Sequence, residues 1–319
     1  MEILVLGCSD VFLRRVLPAL NSCEGITKIH IASVSKTRTL NQVKVCKKIG
    51  VWFDDYTAAI KSSYSDLVYI SLPNHLHYIW AKKSLEEGLN VIVEKPATIN
   101  LSDSEYLVEL SLNKNLCLAE STVWPFHPAI DVVKNNLIQA QDKFLSVNAS
   151  FTVPAFNEDN FRNFPEFDGG AFNDMSAYAS SIGRVLFNEF PSYISGEAIS
   201  FDKSTNIITS FSIKLEFGKN KVVQGFFGFD LDYKNNLEIK GRNFSLDLNR
   251  VFSPPADIEI SLKAKIDDLC NEKFFIGDAY AKFFESILAT YNTNKKKLWS
   301  DVLLKDAIIT NKLKSSIVS

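Results

Sequence analysis

Short runs of consecutive apolar residues punctuate the first 120 positions, and segments of helical spacing lie between them. Ile3–Leu6, Ile29–Ser33, Val51–Phe53, Leu67–Leu72, Val91–Val93 and Leu116–Ala119 are the runs. They are too short for buried helices and show no polar alternation, so they predict strands covered on both faces, as in a parallel sheet. Val11–Leu20, Leu40–Ile49, Tyr56–Ser62, Asn74–Glu87 and Ser102–Asn113 carry helical spacing. Asp54-Asp55, Asn74 and the pair Ser102 and Glu105 are the expected N-terminal caps, and Gly88 the expected stop. Strand and helix in strict alternation predict an α/β fold with a Rossmann-type doubly wound parallel sheet.

The pattern changes after residue 122. Leu145–Val153, Tyr193–Phe201, Ile207–Phe217, Lys221–Phe229, Leu237–Lys240, Phe244–Leu248 and Ile258–Lys263 alternate or run apolar between Gly, Asn, Asp and Pro. They predict an α+β domain with an open, mostly antiparallel sheet, covered on one face by helices that include Asp168–Leu186. Tyr280–Thr290 and Asp301–Leu313 are amphipathic. Two domains are expected, 1–122 and 123–319, with the C-terminal helices free to pack back on the first. The stretch Pro154–Pro165 has no periodicity and reads as a surface connection or a substrate loop.

A chain of 319 residues has room for both cores. Its net charge of −2, without a basic stripe, argues against nucleic acid as a partner. The apolar runs are all far shorter than the ~20 residues of a membrane helix, and Met1–Gly7 reads as a first strand rather than a signal peptide. Five scattered cysteines without a CxxC fit reduced thiols in the cytoplasm, and no metal site is expected.

The candidate chemistry sits where strands end. Gly7-Cys8-Ser9-Asp10-Val11 joins the first strand to a helix, the arrangement that receives a dinucleotide pyrophosphate, although Ser9 and Phe12 stand where glycines are usual. Ser33, Lys36 and Arg38 follow the second strand with no carboxylate among them. That set suits a 2′-phosphate and favours NADP(H), with NAD(H) possible; a polar helix cap with solvated cations explains it equally well. Pro73-Asn74-His75-Leu76-His77 ends the fourth run, and packing or capping is the commoner work for either histidine. Val91-Ile92-Val93-Glu94-Lys95-Pro96 carries an ammonium to the carboxyl edge of the sheet, where ligands of such sheets bind. Downstream, Asp174 and Tyr178 lie four residues apart after Gly169-Gly170, so on a helix they share a face.

Leu6–Leu20, Val91–Pro96 with its Glu-Lys-Pro, Glu120-Ser-Thr-Val-Trp-Pro-Phe-His-Pro128 and Asp168–Tyr178 together resemble the glucose–fructose oxidoreductase/inositol 2-dehydrogenase/rhizopine-catabolism family of NAD(P)-dependent oxidoreductases. The resemblance implies hydride transfer between a nicotinamide and a sugar carbon, with Lys95, Tyr178 and Asp174 catalytic. It places Gly7, Ser9, Asp10, Val11, Ser33, Lys36, Arg38, Pro73, Asn74, His77, Glu94 and Lys95 around the cofactor. Trp124, His127 and Arg162 join Lys95, Asp174 and Tyr178 around the substrate. Tyrosine at 178 and the Arg14-Arg15…Leu17-Pro18-Ala19-Leu20 opening are similar to the branch that reduces keto groups of nucleotide-linked deoxysugars. Pro125 replaces a common arginine of the family. The resemblance also implies a homodimer or homotetramer formed through the second-domain sheet. The rival expectations are an NAD-dependent dehydrogenase of a polyol or free sugar, and a non-catalytic homologue with a decayed nucleotide cleft.

Overall fold

Apolar runs without a polar face can be buried only side by side, and that is how they pair. The structure is a computed structural model that describes residues 1–34, 43, 46–62, 64–140, 144–267 and 269–318. It divides into two units: Met1–Thr122 with Tyr280–Leu304, and Val123–Ala279 with the chain from Lys305 onward. Residues 280–304 group with the first unit.

The first unit holds β1 (Glu2–Leu6), β2 (Lys28–Ala32), β3 (Ile49–Phe53), β4 (Leu67–Ile70), β5 (Asn90–Val93) and β6 (Leu118–Glu120). They form a parallel sheet in the order 3-2-1-4-5-6, the order of dinucleotide-binding sheets, with its switch point between β1 and β4. A π-turn over Phe12–Val16 leads into α1 (Leu17–Ser22); α2 (Tyr56–Lys61), α3 (Asn74–Glu86) and α4 (Leu101–Asn113) follow the later strands. Phe12, where the nucleotide turn usually carries a small residue, is wholly buried, and the helix is widened to a π-turn at that point.

Helix ends follow the sequence in part. Asp55 caps α2, its Oδ1 accepting from Ala58 N at 2.6 Å. Gly88 closes α3 at φ +85°, donating to Leu85 O while Leu89 N donates to Ser84 O, the paired bonds of a Schellman stop. Three expectations are corrected. Asn74 is the first residue of α3, with Pro73 in the cap position. Asn100 occupies the cap of α4, which leaves Ser102 inside its first turn. Ile49 opens β3, so no helix runs through it; Lys36 and Arg38 lie outside the described residues.

The second unit contains α5 (Pro128–Ala140), α6 (Ala171–Phe187) and the strands β7 (Leu145–Thr152), β8 (Tyr193–Phe201), β9 (Ile208–Phe217), β10 (Lys221–Gly228), β11 (Lys234–Lys240), β12 (Phe244–Asn249), β13 (Ile260–Ile266) and β14 (Leu269–Phe275). The sheet order is 14-13-12-11-7-10-9-8, antiparallel apart from the β7–β10 pair. α7 (Ala279–Thr290) and α8 (Lys297–Val318) end the chain. The α6 helix lies on β9 and β10, its Phe172, Met175 and Ile182 in a core shared with Phe211, Phe227 and Phe252. Arg184 on α6 grips Asp306 with two bonds of 2.9 and 2.6 Å. Opposite the core the sheet presents short polar side chains: Asn148, Ser150, Ser212 and Gln224 line a shallow groove of about 410 Å³.

Candidate active site

In the first unit the turn after β1 and the end of β4 meet closely. Gly7 has φ +90°, and a Cβ there would lie 2.4 Å from the carbonyl oxygen of Ser71. Only glycine fits, because both the backbone angle and the approach exclude a side chain. The Ser9 hydroxyl accepts from Phe12 N at 3.1 Å and pairs with Ser71 Oγ at 2.7 Å. Ser9 thus caps the helix start from the place where a second glycine is usual. Asp10, exposed, and Val11, half-buried, form the first residues of that helix. Ser33 is buried at the end of β2. A glycine cradle at the switch point, opening on a helix N-terminus, fits a dinucleotide pyrophosphate.

One strand over, the residues after β5 are fixed from several sides. Glu94 is buried; its Oε1 accepts from the hydroxyls of Tyr69, of Tyr280 at 3.3 Å and of Ser121 at 3.5 Å. Its Oε2 accepts the main-chain N–H of Lys95 at 3.2 Å. Burial pushes the Glu94 carboxyl up from its usual range, opposed by these bonds and by the Lys95 charge. Burial next to this carboxyl raises the Tyr69 phenol well above its ordinary value. Glu94, expected beside the cofactor, is bonded to Tyr69, Ser121, Tyr280 and the Lys95 N–H. The Lys95–Pro96 peptide is cis.

His77 is also buried, its Nδ1 2.7 Å from Pro96 O and its Nε2 2.7 Å from Leu72 O. Burial holds its pKa down despite the two carbonyls. Both ring nitrogens face backbone carbonyls at the ends of β4 and β5, and a neutral ring donates to one of them at a time, so His77 sits against those two loops. Lys95 is half-buried at this edge.

In the second unit Gly170, at φ +95°, and Gly169 start α6. A Cβ on Gly169 would lie 2.5 Å from Arg162 O and 2.7 Å from Phe164 O, so the glycine pair lets the loop fold onto the helix start. Gly170 N donates to Arg162 O at 2.8 Å. This brings Arg162 Nε to 3.2 Å from Asp174 Oδ1, a charge contact without hydrogen-bond alignment. The guanidinium also lies 4.5 Å from the Phe161 ring centre and 5.1 Å from that of Phe156. Arg162 and Asp174, expected to meet the substrate separately, are therefore partners. Tyr178, one turn beyond Asp174, is half-buried with its ring 5.2 Å from Phe151 and 5.6 Å from Phe252.

Two residues expected at the substrate are buried in the second unit. Trp124 is wholly buried in the core, donating to Ser181 Oγ at 3.0 Å and set edge-on to Phe252, so it has no face to offer a ligand. His127 is buried as well; its Nδ1 accepts from Ala129 N at 3.3 Å, its Nε2 has no partner, and desolvation lowers its pKa to about 4. Tyr69, Ser71, Ser121 and Tyr280 were not anticipated. Tyr69 sits within an apolar run and reads as packing, and Tyr280 meets Glu94 across 186 positions of sequence.

Among the described residues no group of His, Cys, Asp and Glu is arranged to hold a metal ion, and no helix is long and apolar enough to cross a membrane. A family profile described as an oxidoreductase family with an NAD-binding Rossmann fold matches residues 1–121. The chain is 30% identical over 278 residues to a dTDP-3,4-didehydro-2,6-dideoxy-alpha-D-glucose 3-reductase of Streptomyces violaceoruber, covering 86% of this chain and 80% of the other. It is 26% identical to the enzyme of the same name from Actinomadura kijaniata, over 98% and 94% of the two chains. A 3-ketoreductase from Actinomadura kijaniata, solved in complex with NADP and TDP-benzene, superposes with a TM-score of 0.90 at 24% identity over 99% and 98% of the two chains.

Proposed function

Because the chain belongs to the glucose–fructose oxidoreductase/inositol 2-dehydrogenase/rhizopine-catabolism family of NAD(P)-dependent oxidoreductases, we propose that it uses NADPH to reduce the 3-keto group of a nucleotide-linked deoxysugar. The observation that carries this reading is similarity over most of the chain to reductases of a dTDP-linked 3,4-diketo sugar, with Lys95 at the carboxyl end of β5. When bound, the nicotinamide supplies the hydride. Gly7 and the helix start after it hold the pyrophosphate, and Ser33, with Lys36 and Arg38, takes the 2′-phosphate.

The protein's own task is the oxygen. Lys95 hydrogen-bonds the carbonyl oxygen and offsets the negative charge that grows there. Tyr178 gives that oxygen a proton. Asp174, paired with Arg162, orients a neighbouring sugar hydroxyl. The outer face of the second sheet packs against a second copy of the chain; its short side chains and a buried Asn236 Oδ1 without a hydrogen-bond partner support this.

The test is NADPH oxidation with dTDP-3,4-didehydro-2,6-dideoxyglucose, the product identified by NMR, with Lys95→Ala and Tyr178→Phe alongside. Turnover with this substrate, and a fall in kcat of about a hundredfold or more in each variant, is expected. Turnover of a free sugar or polyol with NAD, and none of the nucleotide ketosugar, refutes the substrate class. Near-normal kcat in Lys95→Ala refutes the mechanism. Sedimentation of the intact chain as a monomer removes the sheet-to-sheet contact.

A further inference from the structure

A buried carboxyl with three hydroxyls on one oxygen is more than a core residue needs. We infer that Glu94, set by Tyr69, Tyr280 and Ser121, is the positioning residue that orients Lys95 and keeps its ammonium charged during reduction. The inference rests on the reading of Lys95 as the group that binds the substrate oxygen.

The two carboxylate oxygens do different work. Oε1 takes the hydroxyls of Tyr69 from β4, Ser121 from the end of β6 and Tyr280 from α7. Oε2 is left for the Lys95 N–H, so the hydroxyls fix the rotation of the carboxyl and hence the start of the lysine. His77 holds the other side, through the carbonyl of Pro96. A lysine with four rotatable bonds gains catalytic precision only if its root is immobile.

Charge follows the same arrangement. The titratable groups facing Glu94 are Tyr69, Tyr280 and Lys95. Glu120 on the neighbouring strand is occupied, accepting from Ala97 N at 2.8 Å and from Thr122 Oγ1 at 2.5 Å. Lys95 is also felt by His77, which burial keeps neutral. The charges of Glu94 and Lys95 act on one another, and burial on one side with hydroxyl donors on the other sets the pH at which the carboxylate is lost.

The signs are definite. Protonating Glu94 as pH falls removes the anion, which gives the rate an acid limb. Losing the Lys95 proton as pH rises gives an alkaline limb, held high by the carboxylate. Glu94→Gln keeps the volume and an acceptor oxygen but no charge. It is expected to abolish the acid limb, lower the alkaline limb by about one pH unit and reduce kcat at least tenfold, with the NADPH Kd changed less than threefold. Tyr280→Phe removes one donor from Oε1 and is expected to raise the acid limb, leaving the alkaline limb in place; should Glu94→Gln fail to fold, this milder variant carries the test. Limbs at wild-type positions in both variants overturn the inference. The Lys95→Ala variant separates the two levels of argument. If it is nearly as active as wild type, the mechanism itself is wrong; if it is inactive while the limbs of Glu94→Gln and Tyr280→Phe stay put, only the role of Glu94 falls.

Discussion

Replacing Gly7 by alanine tests the nucleotide turn most directly. Two penalties apply. The residue sits at φ +90°, where an L side chain is strained by about 1–2 kcal/mol. The new Cβ would also stand 2.4 Å from Ser71 O and 2.7 Å from Leu72 Cδ2, against an ordinary contact of 3.4 Å or more. The carbonyl cannot swing away freely, because Ser71 N donates to Leu6 O and Gly7 N to Ala32 O, both at 2.8 Å. Overpacking against fixed backbone adds about 1–3 kcal/mol. The expected loss is thus about 2–5 kcal/mol, which for a unit of this size lowers Tm by roughly 5–15 °C. Because the strain lies under the pyrophosphate, NADPH affinity should fall by about tenfold or more, as 1.4 kcal/mol is a factor of ten. Gly88→Ala is the matched control. Gly88 has a similar φ of +85° but nothing within 4 Å, so it should lose about 1–2 kcal/mol and leave NADPH binding intact. Melting curves and NADPH fluorescence titration read both quantities. Equal Tm losses in the two variants, with NADPH bound as tightly as by wild type, would refute the close approach at the switch point.

Three further outcomes are expected. Stability should decline as pH falls from 6.5 towards 4, because His127 takes up a proton in the unfolded chain before it does in the fold; this contributes about 1–3 kcal/mol, and His127→Gln should flatten that part of a pH series of melting curves. Asp306→Ala removes the carboxylate that Arg184 grips, and should destabilise the protein by about 3 kcal/mol in denaturant titration while kcat of the folded fraction stays within a few-fold. Gly170→Ala should weaken the start of α6, where φ is +95° and a Cβ would come within 3.2 Å of Ile208 O. KM for the sugar nucleotide should rise more than kcat falls, while NADPH binding is retained.

The elements missed in the sequence show where its signal thins. The α5 helix does carry helical spacing in Ala129, Ile130, Val133 and Leu137 behind Pro128, but it lies in a segment that also reads as a chain of contacts entering a new domain. The edge strand β14 is exposed over all but its last residue, so no core face imprints alternation on it. Trp124 and His127 carried polar atoms in a segment similar to a substrate-binding one, yet both are buried. Composition at that scale does not distinguish a side chain that donates to Ser181 from one that donates to a ligand.

Binary pattern alone fixed the parallel sheet, because strands buried on both faces have no polar period and must be flanked by helices. Local spacing likewise placed Lys95 at a strand end and Asp174 with Tyr178 on one helical face. The partners that give those residues their setting came only from the folded chain: Ser71 against Gly7, Arg162 against Asp174, Tyr280 against Glu94. Two of these join positions far apart along the chain and the third closes a loop onto a helix start; sequence periodicity records which way a side chain faces but not which group it will find there.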